Sequence, residues 1–182
     1  MKPANVLLLP GCQASGPAHW QGRWQTAHGY TRVEQHDWQR PLRGDWISRL
    51  EDLVLSCDEP AVLVGHGLGC LLVAAWAAHS GNTARVKAAL LVAPIDAERE
   101  ALRPLLHSWS PLPLGRLPFT SVLLARRDDP VCAFDRAQAM AAAWGSQWVD
   151  PGHDGQINDD FDLQRTPDGH SLLQELMQPS GK

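Results

Sequence analysis

The apolar run Ala61-Val62-Leu63-Val64 ends in Gly65-His66-Gly67-Leu68-Gly69, and a second apolar run, Cys70 to His79, follows at once. This junction restricts the architecture more than any other part of the chain. A short continuous apolar run reads as a strand buried on both faces, and the longer run after the glycines reads as a buried helix. Strand, sharp turn and helix are the repeating unit of parallel α/β sheets. The spacing is also that of G-x-S-x-G, the nucleophile elbow, in which a strained backbone lifts one side chain above the sheet. Here the central position is Gly67, which has no side chain and offers no attacking atom.

The rest of the chain repeats the alternation. Strands are expected at Asn5–Leu9, Thr31–Gln35, Ala61–Gly65, Ala88–Ala93, Ser121–Ala125 and Gln147–Asp150. Helices are expected at Asp45–Ser56, Leu68–His79, Phe134–Trp144 and His170–Met177. Asp45–Ser56 carries Trp46, Ile47, Leu50, Leu53 and Val54 on one face. The segment from Pro104 to Pro118, with Pro111, Pro113 and Trp109, reads as an irregular loop over one edge of the site. This pattern predicts a doubly wound, mainly parallel sheet of about six strands with helices on both faces. Sites in such sheets lie outside the carboxyl ends of the strands. Pro10-Gly11, Gly65–Gly67, Pro94, Asp128-Asp129-Pro130 and Gly152-His153 all fall at such ends.

Length and charge exclude several classes. At 182 residues one compact domain, 1–182, is the expectation. A net charge of −4 with no basic patch argues against a nucleic-acid surface. No apolar run reaches membrane-spanning length. Val6 to Pro10 is too short for a signal-peptide core, so a first buried strand and a cytoplasmic location are expected. The four cysteines, Cys12, Cys57, Cys70 and Cys132, are widely spaced and read as free thiols, not disulfides or zinc ligands. Asp154, Asn158, Asp159 and Asp160 fit no calcium loop and read as a solvated acidic loop. No metal and no cofactor is expected.

These residues resemble the small serine hydrolases of the retinoblastoma-binding/YdeN-like group, within the α/β-hydrolase fold. The resemblance runs over nearly the whole chain. It is carried by Pro10-Gly11 with Ser15-Gly16-Pro17-Ala18-His19-Trp20-Gln21, by Gly65-His66-Gly67-Leu68-Gly69-Cys70, and by Leu91-Val92-Ala93-Pro94. Asp129-Pro130-Val131-Cys132, Gly155-Gln156-Ile157-Asn158 and Pro167-Asp168-Gly169 complete it. It implies a minimal α/β-hydrolase domain whose ancestral reaction is hydrolysis of a small ester or amide through an acyl-enzyme. It also implies that Gly67 occupies the nucleophile position, Asp129 the acid position and Gln156 the histidine position. Gln cannot take a proton near neutral pH, and a Ser hydroxyl needs such a base. The resemblance therefore implies a degenerate triad with Asp129 alone kept.

An oxyanion hole built of backbone N–H groups outlasts the loss of side chains. The matched donors are Leu68 and the Cys12-Gln13 segment, which favour a small anionic or ester-like ligand. Ser15 and His153 are the candidate substitutes for the missing groups, with Cys12 as a reactive thiol. They define the alternative reading, an active ester or amide hydrolase with a non-standard nucleophile or base. Ser15 also suits a turn or helix-start hydrogen bond, and His153 a solvent-facing loop position. His66 is expected to be a hydrogen-bonded structural histidine, and Cys70 a core residue. A dinucleotide site is disfavoured because Cys70 replaces the third glycine of that fingerprint and the motif follows a middle strand. Leu55-Ser56-Cys57-Asp58-Glu59 fits L-x-C-x-E, a protein-binding pattern, but Leu55 and Cys57 are expected to pack inward. A protein partner remains a second class of role.

Overall fold

The computed structural model describes residues 5–11, 19–125, 127, 129, 132–149 and 169–178. Six parallel strands form one sheet: β1 (Val6–Leu9), β2 (Thr31–Arg32), β3 (Ala61–His66), β4 (Val86–Val92), β5 (Thr120–Leu124) and β6 (Gln147–Val149). Their order across the sheet is β2-β1-β3-β4-β5-β6. The chain winds outward from β1 to β2, then crosses back to β3 and winds the other way. The crevice between the ends of β1 and β3 is therefore the topological switch point.

Side chains alternate between two cores along most of the strands. Leu7, Leu9, Leu63, Leu91 and Leu123 face one, packed by α2 (Arg43–Ser56), α3 (Leu68–His79) and α5 (Phe134–Trp144). Val6, Leu8, Val64, Leu90, Val92 and Leu124 face the other, packed by α1 (Trp20–His28) and α6 (Gly169–Met177). Both faces being covered is why the strands read as unbroken apolar runs. Fully burying each Leu or Val is worth about 1.5–3 kcal/mol, enough for four-residue strands to hold.

The α3 and α5 spans agree with the sequence reading, and α6 differs by one residue. The differences elsewhere have local causes. Strand β2 ends at Arg32, not Gln35, because it is the sheet edge: Val33 gives one last N–H to Leu8 O at 2.8 Å, and the chain then turns away. The turn closes on Asp37, whose carboxylate accepts from the Gln39 and Arg40 amides. Strand β4 starts two residues early, at Val86, with Lys87 exposed.

Helix α1 has no apolar stripe and was not expected. It holds two tryptophans, Trp20 and Trp24, one turn apart, and is fixed at its ends. His19 Nδ1 accepts from Gln21 N–H, and Gly29, at φ 70°, closes the carboxyl end. The Gln21 side chain donates to Leu9 O and Val64 O, clamping α1 onto the ends of β1 and β3.

The irregular loop expected between Pro104 and Pro118 is partly helical. A short helix α4 (Arg103–Leu106) lies between two 3-10 turns, Glu100–Leu102 and His107–Trp109. The segment straps two helices together: Trp109 Nε1 donates to Pro41 O just before α2, and Trp144 Nε1 of α5 donates to Pro113 O, each at 2.7 Å. Leu55 does not pack inward as expected; it is 43% exposed. The buried face of α2 is Trp46, Leu50 and Val54, and Leu55 is one residue, about 100° of helix, past it. Cys57 is half-buried and donates to Leu53 O.

Candidate active site at the glycine elbow

The three elbow glycines play different parts. Gly67 sits at φ 57°, ψ −118°, a conformation in which a residue with a side chain is strained. Its amide donates to Val92 O at 3.1 Å, tying the turn to β4. A Cβ on Gly69 would lie 2.1 Å from Leu9 O, so this glycine lets the first turn of α3 rest on β1. A Cβ on Gly65 would lie 2.9 Å from the Gly69 carbonyl and the Cys70 nitrogen. Gly67 differs from both flanking glycines: among the described residues a Cβ there meets only Gly11 Cα, at 3.8 Å. The elbow backbone is thus complete, and no described residue crowds its central position, where the sequence supplies no side chain.

Leu68 opens α3, and its amide lies beside Gly11 across the switch point: a Cβ on Gly11 would be 3.8 Å from it. Cys12 and Gln13, the expected partner donors, lie outside the described residues. So do Ser15, His153, Gln156 and the acidic loop at 154–160.

Asp129 follows β5, half-buried. Strands β3 and β5 flank β4, so the elbow and the acid loop stand two strand spacings apart, about 10 Å, at the same end of the sheet. Asp129 has Cys132 as a neighbour. Burial, then the carboxylates of Asp129 and Asp96, push the Cys132 thiol up to about 12, with Arg136 and Arg99 offsetting part of the effect. Burial likewise raises Cys70 far above the usual thiol range, and its Sγ donates to Gly65 O and Val92 O. Cys70 is core, as expected, and neither thiol forms a thiolate near neutral pH.

His66 is half-buried, and its Nδ1 atom is buried with no hydrogen-bond partner among the described residues. Its ring instead packs 4.9 Å from the His19 ring and edge-on to Trp20 at 5.7 Å. Burial, with His19 adding to it, pushes the imidazole down to about 3, so it stays neutral at working pH. Such a ring is a poor general base.

Two features escaped the sequence reading. Ala93, at the end of β4, has φ 49°, and its amide donates to Leu124 O at 2.8 Å. A strained alanine leaves no compositional signal. Arg136 of α5 reaches Glu98 at 2.8 Å and Asp96 at 3.7 Å, clipping the loop after β4 to α5. Asp96 also accepts from Glu98 N–H.

A family model described as serine hydrolase matches residues 6–175. The chain belongs to the serine hydrolase family. Among solved structures, this serine hydrolase family member is similar to a YdeN-like hydrolase from Pectobacterium atrosepticum. The identity is 25%, with 96% of this chain and 90% of that chain covered and a TM-score of 0.78. It is also similar to the ydeN gene product of B. subtilis, at 18% identity, 95% and 98% coverage and TM-score 0.72. Est1E from Butyrivibrio proteoclasticus shares the fold at 11% identity, 97% and 90% coverage and TM-score 0.69. No curated protein gives a significant match. Family membership and the α/β-hydrolase fold, both expected from the sequence, are thereby established. No helix among the described residues is long and apolar enough to cross a membrane.

Proposed function

We propose that this serine hydrolase family member has a dismantled triad and binds a small carboxylate or ester-like ligand where its relatives would hold an acyl group. Gly67 stands at the nucleophile position, Gln156 at the histidine position, and Asp129 remains. The observation that carries the reading is the elbow: its strained backbone persists at φ 57°, ψ −118°, with no side chain at its centre to attack from. A backbone-built oxyanion site at Leu68, with the Cys12-Gln13 segment, needs no side chain. Cys70 and Cys132 do not replace the missing nucleophile, since both are held protonated.

The test is hydrolysis of a short-chain p-nitrophenyl ester by the native protein and by the Gly67→Ser/Gln156→His double variant. Silence from the first and turnover by the second is the expected result. A serine-directed phosphonate should label only the variant. Burst-forming turnover by the native protein would overturn the reading in favour of a non-standard nucleophile or base.

A further inference from the structure

Between α2 and the carboxyl half of α3 lies an open groove of about 840 Å³, bounded on a third side by Ser108 and Pro113 of the strap. It exists because the facing residues are small: Ser48 on α2, Ala75 and Ala78 on α3. Ala75 comes about 10 Å after Leu68 along α3, so the groove is separate from the elbow.

Glu51 stands at one end of the groove. Its carboxylate accepts from Trp76 Nε1, from Ser80 Oγ at 2.8 Å and from Asn82 Nδ2. Partial burial raises this carboxyl, but the three hydrogen bonds, with His79 nearby, outweigh it and hold the group below the ordinary carboxylate range. All three donors are neutral, so they fix the charge in place without balancing it. Among the described residues no cationic side chain lies within ion-pair distance of Glu51. A carboxylate has about four acceptor positions, so one remains for a further donor.

Arg43 lines the groove as well, just over two turns earlier on α2. Arg43, Ile47 and Glu51 are spaced four apart and share one face of the helix. Ser108 Oγ accepts from the Arg43 N–H at 3.0 Å and fixes this end of the helix. The guanidinium has no carboxylate partner among the described residues, and it stands at the positive end of the α2 dipole. Ile47, Ala75 and Ala78 make the middle of the groove apolar.

We propose that this groove binds a short zwitterionic peptide, its ammonium on Glu51 and its carboxylate on Arg43. The two poles are about 12 Å apart along α2. An extended chain of about three residues covers that span, at ~3.3–3.6 Å per residue. Each end would then meet a charge that the fold holds in position and leaves unpaired, and charge-assisted contacts are the stronger kind.

The probes are trialanine, its N-acetyl form and its C-terminal amide, titrated into the native protein and followed by backbone amide NMR shifts. Trialanine should shift Ser48, Ala78 and Gly81 saturably and leave Gly67 and Leu68 unmoved. Each capped form should bind at least about tenfold more weakly. Glu51→Gln still offers an oxygen to Trp76; it should cost trialanine at least about tenfold and leave the N-acetyl form, which has no ammonium, unchanged. Arg43→Gln should show the mirror pattern, a loss for trialanine and none for the amide. The capped peptides test both poles on the native protein, so the result stands even if a variant fails to fold. Equal affinity for trialanine and either capped form would overturn the proposal. So would shifts centred on the elbow, or no saturable shift up to about 10 mM trialanine.

Discussion

Replacing Gly67 and Gly69 separately by alanine tests the elbow geometry. At Gly67 the added Cβ has ordinary contact only among the described residues, 3.8 Å from Gly11 Cα, so the cost there is backbone strain at φ 57°. That strain is about 1–3 kcal/mol. Losing glycine's freedom in the unfolded chain returns about 0.4–1 kcal/mol. The net loss for Gly67→Ala should be about 1 kcal/mol. At Gly69 the balance reverses. Alanine suits a helix better than glycine by about 1 kcal/mol. But its Cβ would lie 2.1 Å from Leu9 O, a backbone atom of a buried strand that has no rotamer in which to escape. Relief requires moving α3 or β1, and overpacking of this kind costs about 3 kcal/mol or more. Urea denaturation at fixed pH, read as midpoint and slope, measures both. Two alanines of equal cost would refute the reasoning, as would a stabilising Gly67→Ala, which would mean the turn is not held in the strained conformation.

The chemistry around the elbow gives two further expectations. In native protein at pH 8, an alkylating reagent should leave Cys70 and Cys132 unmodified, since both thiols are raised by burial; mass spectrometry showing early modification of either would refute this. His66 should stay neutral down to about pH 3. Its folded value lies below the unfolded value of about 6.5, so its contribution to stability is full above 6.5 and lost as pH falls toward 3. His66→Phe should flatten that part of the acid-stability profile; a native NMR titration of His66 near 6.5 would contradict the burial argument.

Much of the fold was legible because its signals are local. Helices α3 and α5 announced themselves by composition and length, and β1, β3, β4 and β5 by apolar runs that only a doubly covered sheet accommodates. The glycine spacing at 65, 67 and 69 located the turn; at 65 and 69 no other residue allows that approach of helix to strand. Helix α1 was missed because it has two tryptophans instead of a stripe, and its ends are fixed by His19 and Gly29. Strand β2 was overextended because Val33 and Gln35 are buried, as strand residues would be, yet leave the ladder.

The sequence by itself determined the element types, the parallel sheet, the elbow and the absence of a nucleophile at residue 67, because each depends on residues a few positions apart. Only the tertiary structure decided which glycine is sterically locked and which has room, since that depends on Leu9 and Gly11, more than fifty residues away. It also decided that the half-buried His66 ring packs on His19 and Trp20 and stays neutral. A titratable group takes its properties from whatever the fold places against it, and spacing along the chain carries no record of that.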